Sequence, residues 1–185
     1  MRDENRQPGQ ALSFEHVVLP HLDAAYNLAH WLVRQPQDAE DIVQQAYLRA
    51  FKCFDGYQGG DARAWVLKIV RNTSYSFLEK NRAAKLGEEF DETIHTPVSK
   101  QSGADEALLQ SADSRMLHEA LGELPVNFRE VLVLRELEGM SYKEIAEVMD
   151  KPIGTVMSGL ARARTRLKDR LIRMRAEEEQ RGLRK

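Results

Sequence analysis

The sequence predicts an all-α protein of two small helical domains joined by a flexible acidic linker, the second containing a helix-turn-helix. Three observations carry this. Apolar residues recur at three- and four-residue spacing along most of the chain, and the one β-like run, Val131-Leu132-Val133-Leu134, lies inside a longer segment with helical spacing. The 185 residues, 42% apolar and 30% charged, suit one ordinary domain or two small ones with thin cores. Between two periodic stretches, residues 83 to 112 lose periodicity and concentrate acid.

The first element runs from Phe14 to Val33 through Val17, Val18, Leu22, Tyr26, Leu28, Ala29 and Leu32; Pro20 kinks or interrupts it and Pro36 marks its end. In the second, Asp38-Ala39-Glu40-Asp41 reads as an N-cap and acidic first turn, with Ile42, Val43, Ala46, Tyr47, Ala50, Phe51 and Phe54 as the apolar face. Cys53, between Phe51 and Phe54, is expected to be buried and inert. Asp55 to Asp61 is a glycine-rich loop, after which residues 62 to 82 resume a helix through Trp65, Leu67, Ile69, Val70, Tyr75, Phe77 and Leu78. Residues 14–82 thus form the first domain. In the 83–112 linker, Gly87, Pro97 and Gly103 accompany the acidic run Glu88-Glu89-Phe90-Asp91-Glu92.

The second domain, 113–175, opens with Met116, Leu117, Ala120, Leu121 and Leu124, and Pro125 stops that helix. Asn127 with Glu130, and Ser141 with Glu144, fit capping boxes, with Gly139 between the two helices they open. A last helix follows Asp150-Lys151-Pro152; its apolar positions 153, 156, 160, 163, 167, 171 and 174 leave Thr155, Ser158, Arg162 and Arg166 on a polar stripe.

Several function classes are excluded. No apolar run is long enough for a membrane span, and residues 1–13 lack the apolar centre of a signal peptide, so a cytoplasmic protein without membrane insertion is expected. The lone cysteine and five histidines never adopt a metal-ligand spacing, and no cofactor or metal is expected. There is no glycine-rich phosphate loop and no nucleophile elbow, which argues against an enzyme or a small-molecule substrate. The formal net charge of -2 conceals a basic block: Arg162, Arg164, Arg166, Lys168, Arg170, Arg173 and Arg175 face only Asp169 between residues 152 and 175. Such a segment suits a phosphate backbone.

Ile145, Ala146, Met149, Ile153, Val156 and Leu160 have the spacing of a helix-turn-helix, with small Ala146 where two helices cross closely. The second helix would present Thr155 and Ser158 to base edges or phosphates, followed by Arg162, Arg164 and Arg166.

Three stretches, Leu124-Pro125-Val126-Asn127-Phe128-Arg129-Glu130-Val131-Leu132, Glu136 to Ala146 (ELEGMSYKEIA) and Gly154-Thr155-Val156-Met157-Ser158, resemble the C-terminal domain of bacterial sigma factors. Residues 38–51 (DAEDIVQQAYLRAF) and Ala64 to Asn72 (AWVLKIVRN) resemble the same family's core-binding and promoter-melting helices. Two domains with only a linker between them are similar to the extracytoplasmic-function class.

The resemblance implies that Asp38, Asp41, Gln44, Gln45 and Leu48 dock on core RNA polymerase. It implies that Phe54, Tyr57, Lys68, Arg71, Asn72 and Tyr75 capture and open the -10 element, with aromatic faces for unstacked bases and cations for phosphates. Tyr75 could equally be packing, and Trp65 belongs to the core. At the -35 element the implied contacts are Thr155, Ser158, Arg162, Arg164 and Arg166, with Ser141 and Lys143 on phosphates. Promoter DNA, core polymerase and an anti-sigma factor are the implied partners. The chain departs from the family pattern at Gly159, where many members have Arg, at Asp150 in the turn, and at Ser76 and Glu79. Gly159 and Glu79 motivate one alternative, a sigma-like decoy that binds an anti-sigma factor or polymerase with weak DNA contact. Another is a stand-alone helix-turn-helix regulator.

Overall fold

The computed structural model describes residues 13–87 and 112–182, and among them there is no strand. α1 (Phe14–Val18) leads into a 3-10 turn at Leu19–His21, so Pro20 interrupts the predicted first helix and α2 (Leu22–Val33) completes it. α2 ends on Arg34, left-handed at φ 68°, whose N–H donates to the His30 carbonyl at 2.7 Å. α3 spans Pro36–Cys53. Its N-cap is Gln35 and not Asp38, because a proline with fixed φ and no N–H to satisfy is pre-organised for the first helical position. Asp38 instead lies within the first turn.

After a second 3-10 turn at Phe54–Gly56, Gly59 (φ 93°) and Gly60 (φ 104°) take conformations that side chains disfavour. Asp61 then accepts from the Ala64 N–H at 3.0 Å and opens α4 (Ala62–Gly87), which runs past the expected end at residue 82. Residues 88–111, which include most of the expected linker, lie outside the described residues.

α5 (Ala112–Glu123) precedes α6 (Val126–Leu132), which continues as a π-helical turn over Val133–Leu137. The β-like run is therefore helical. No capping box forms at Asn127 and Glu130: Pro125 occupies the cap, and the Glu130 side chain is drawn away by partners on α4. Gly139 (φ 65°) turns the chain into α7 (Tyr142–Met149). Here the predicted capping box is present, the Ser141 hydroxyl accepting from the Glu144 N–H at 3.3 Å and the Glu144 carboxylate from the Ser141 N–H at 2.6 Å. Asp150 closes α7 in the left-handed region at φ 53°, and α8 (Ile153–Gly182) follows.

α2, α3 and α4 pack around Leu28, Leu32, Ile42, Leu67 and Val70; α6, α7 and α8 pack around Val131, Leu134, Ile145, Val156 and Leu160. α2 also packs on α6, and α4 on α7, so most of the buried residues of both units form one continuous cluster, while Met116, Ala120 and Met174 make a smaller one between α5 and α8. Among the described residues no helix is long and apolar enough to cross a membrane.

Candidate nucleic-acid interface

α3 presents Asp41, Gln44, Gln45 and Leu48 as an exposed stripe, with Asp38 half-buried at its start. Burial, then the neighbouring Asp41 charge, raises the Asp38 carboxyl above its usual range. Leu48 is 57% exposed and Phe51 63% exposed, so a pair of large apolar groups extends the stripe. Phe51 does not belong to the buried face as its spacing suggested, because at 100° per residue it falls beside Leu48 and Gln44 as much as beneath Tyr47. Cys53 is likewise exposed rather than buried.

The loop into α4 brings aromatic rings together. Phe54 and Tyr57 stack with centroids 5.9 Å apart, Tyr57 lies 5.1 Å from Trp65, and the Tyr57 hydroxyl donates to the Gly60 carbonyl at 2.8 Å. Phe54, Tyr57 and Trp65 all stay half-buried, and the rings of Phe54 and Trp65 are 6.5 Å apart. Along α4, Lys68, Arg71, Asn72 and Tyr75 follow at three- and four-residue steps and share one face.

That face meets carboxylates from the second unit. Arg71 donates through Nε to Glu130 at 2.5 Å, and the Tyr75 hydroxyl to the same carboxylate at 2.7 Å. The Arg71 guanidinium lies 4.6 Å over the Tyr75 ring, and its Nη1 donates to Asn72 at 3.3 Å. Lys68 pairs with Asp150 at 3.4 Å. Burial pushes the Glu130 carboxyl upward while Arg71 pulls it down, and burial, then the Glu130 charge, keeps the Tyr75 phenol raised and a donor. Sequence reasoning missed Glu130, Glu138 and Asp150 as partners of the first unit.

In the second unit, α7 and α8 adopt the expected helix-turn-helix, the turn held by the Lys151 N–H on the Ala146 carbonyl at 3.0 Å. Ser141 and Lys143 are exposed at the start of α7, and Thr155 and Ser158 in the first turns of α8. The Ser158 hydroxyl bonds to the Thr155 carbonyl at 3.1 Å, and Arg162 bonds back to the Ser158 carbonyl at 3.2 Å. Arg164 turns toward the π-helical turn and holds Glu136 through two bonds at 3.0 and 2.6 Å. Arg166 lies 4.8 Å over the Phe128 ring, and Arg170 is paired with Glu123. Among the predicted -35 cations, Arg162 shares the stripe of Thr155 and Ser158 and is exposed. A β-carbon on Gly159 would meet nothing within 4 Å.

Residues 17–84 match the family described as Sigma-70 region 2, and residues 114–167 the family described as Sigma-70, region 4. The RNA polymerase sigma-H factor of Pseudomonas aeruginosa is 31% identical over 169 residues, covering 87% of each chain. The ECF RNA polymerase sigma-E factor of Escherichia coli K12 is also 31% identical over 169 residues, with 87% of each chain covered. The ECF RNA polymerase sigma factor SigE of Mycolicibacterium smegmatis is 33% identical over 169 residues; the match covers 89% of this chain and 64% of that longer one. Among solved structures, the sigma factor RpoE from Bartonella quintana, crystallised with the anti-sigma factor NepR, superposes with a TM-score of 0.69 at 28% identity. That match covers 85% of this chain and 96% of RpoE. CnrH, solved with the cytosolic domain of CnrY, superposes with a TM-score of 0.58 at 25% identity over 84% of this chain and 85% of CnrH.

Proposed function

The chain belongs to the extracytoplasmic-function class of RNA polymerase sigma factors, whose function is promoter-specific initiation of transcription, and we propose how its residues divide that work. α3 docks on core RNA polymerase through Asp38, Asp41, Gln44, Gln45 and Leu48, with Phe51 extending the apolar part of the contact. Carboxylates and amides on the stripe supply polar complementarity, while Leu48 and Phe51 supply the apolar area that anchors such interfaces.

The -10 element meets Phe54, Tyr57, Lys68, Arg71, Asn72 and Tyr75. Base stacking on an aromatic ring contributes about 1–3 kcal/mol per base, enough to offset much of the few kcal/mol lost on unpairing one. Lys68 and Arg71 hold the backbone, and Asn72 can bond a base edge. At -35, Thr155, Ser158 and Arg162 face the groove, with Ser141 and Lys143 on phosphates at the α7 N-terminus. Arg164 and Arg166 act at the rim, after leaving Glu136 and the Phe128 ring. Phosphodiester bond formation belongs to the polymerase, and this chain supplies no catalytic group. It works in the cytoplasm, beside polymerase and chromosome, and an anti-sigma protein is a further partner, by likeness to the RpoE–NepR and CnrH–CnrY complexes.

The observation that carries this reading is the ordered match of regions 2 and 4 over most of the chain, with the cationic and aromatic stripe of α4 in the first. Run-off transcription with purified core polymerase tests it, this chain being the only sigma source and the DNA upstream of its own gene the template. Initiation at one start, lost when either promoter block is scrambled, is the expected result. Polymerase binding without any start across a panel of templates would instead favour the decoy.

A further inference from the structure

Five aromatic rings run in contact from the end of α3, by way of α1, into the -10 loop: Phe51, Phe14, Phe54, Tyr57 and Trp65. Phe14, the first residue of α1, is half-buried and lies just ahead of the stretch 17–84 that matches region 2. Its ring stands almost perpendicular to those of Phe51 and Phe54, at interplanar angles of 83° and 84°, with centroids 5.3 and 5.4 Å apart. Phe54 in turn stacks on Tyr57 at an interplanar angle of 15°. Perpendicular pairing sets the positive edge of one ring against the negative face of another, so it fixes ring planes as well as filling space. α1 is itself anchored: Val18 is fully buried, and the Tyr47 hydroxyl of α3 donates to its carbonyl at 3.3 Å.

The loop that follows gives these rings little other support. Gly56, Gly59 and Gly60 bring no side chain to its packing, and its backbone is tied back by the Tyr57 N–H on the Phe54 carbonyl at 2.9 Å. Ring against ring therefore sets the orientation of Phe54 and Tyr57. We propose that Phe14 is a positioning residue for promoter opening: its perpendicular contacts hold the Phe54 ring, and through the stack the Tyr57 ring, in the orientation that captures unstacked bases of the -10 element. The inference rests on the -10 assignment of Phe54 and Tyr57.

Stacking a base on a ring returns most when the ring already stands in place, because any ordering of the ring is subtracted from what the contact returns. A duplex promoter makes the heaviest demand, since its base must first be unpaired and unstacked. A template whose -10 segment is already unpaired makes that demand far less. Loss of the Phe14 ring should therefore slow opening of the duplex while sparing a template that needs no opening. The second neighbour of Phe14, Phe51, is 63% exposed at the end of the polymerase-docking stripe, so the same ring joins that stripe to the loop.

The test uses core polymerase reconstituted with the full-length chain on two forms of one promoter, the intact duplex and a heteroduplex whose -10 segment is mismatched. The reading is the ratio of run-off product from duplex to product from heteroduplex; polymerase docking is common to both templates and cancels. Phe14→Leu keeps apolar volume and loses the ring, and is expected to lower the ratio about tenfold, equivalent to about 1.4 kcal/mol in the opening barrier. Phe14→Tyr keeps the ring and should stay within about twofold of wild type. Phe54→Ala removes a capturing ring and should lower the ratio at least as far as Phe14→Leu. An unchanged ratio in Phe14→Leu, or an equal fall in Phe14→Tyr, overturns the proposal, because a residue that only fills space lowers product on both templates together. If Phe14→Leu loses its helical circular dichroism, Phe14→Met decides by the same criteria. A ratio lowered by Phe54→Ala and not by Phe14→Leu removes the positioning role alone. An unchanged ratio in Phe54→Ala removes the -10 assignment of that ring, and the positioning role with it.

Discussion

At Gly159 the fold makes no demand for glycine: its φ lies outside the left-handed region, and an added β-carbon would meet no atom within 4 Å. In mid-helix, glycine costs about 1 kcal/mol relative to alanine. Gly159→Ala is therefore expected to raise stability by up to about 1 kcal/mol in urea unfolding. Gly159→Arg adds a cation beside Thr155, Ser158 and Arg162, and should tighten promoter binding by the polymerase complex and steepen its salt dependence by about one counterion. Ser141 shows the converse case, a residue whose local role the sequence states in full. Ser141→Ala should cost about 1 kcal/mol through loss of the cap. Hydrogen bonds to Ser141, first its side chain and then its backbone, hold the Glu144 carboxyl below the usual range. Its contribution is present above the ordinary glutamate range and lost as pH falls through the depressed value, so the gap between wild type and Glu144→Gln in thermal melts should close on acidification. The box at Asn127 and Glu130 has an equally good pattern and does not form, since two donors from α4 outbid a local N–H for Glu130. Spacing along one helix carries no sign of groups that arrive from another unit.

Elements were more legible than their ends. Periodicity located every helix between α2 and α8, yet α3 starts two residues before its apparent aspartate cap, because Pro36 takes the first position. α4 persists to Gly87, since Asn81, Arg82, Ala83, Ala84 and Lys85 include no helix breaker even though they lack an apolar stripe. The face of α3 was half legible: its polar stripe was implied by the family resemblance, whereas Phe51 read as core from its spacing and is exposed beside Leu48. An exposed apolar pair on an otherwise polar stripe marks a place where a partner is missing. Leu48→Asp should therefore leave thermal stability within about 0.5 kcal/mol of wild type, as surface substitutions do. In a pull-down with core polymerase the same variant should lose most binding. A drop in stability of several kcal/mol instead would place Leu48 in the internal packing.

Across the whole molecule, two helical units were readable from two periodic stretches, and their docking on each other was not. Its polar contacts join residues 59 positions apart, as with Arg71 and Glu130, or 82 apart, as with Lys68 and Asp150. Each member was visible only as an ordinary charge on its own helix, and the cations were read as DNA contacts without their anions. The docking has a thermodynamic consequence. Small units with separate cores would melt separately, but here Leu28 and Leu32 from the first unit belong to one buried cluster with Val131 and Leu134 from the second. Each unit then loses packing when the other unfolds, which couples the two transitions. Differential scanning calorimetry of the free chain should therefore give a single endotherm, with calorimetric and van't Hoff enthalpies in agreement. Glu130→Lys places an uncompensated cation against Arg71, and closing then costs more than the apolar contact returns. The same scan on that variant should resolve into two smaller transitions, each with the van't Hoff enthalpy of one unit. Two transitions already present in the wild type would mean that the apolar packing between the units is too weak to make them unfold together.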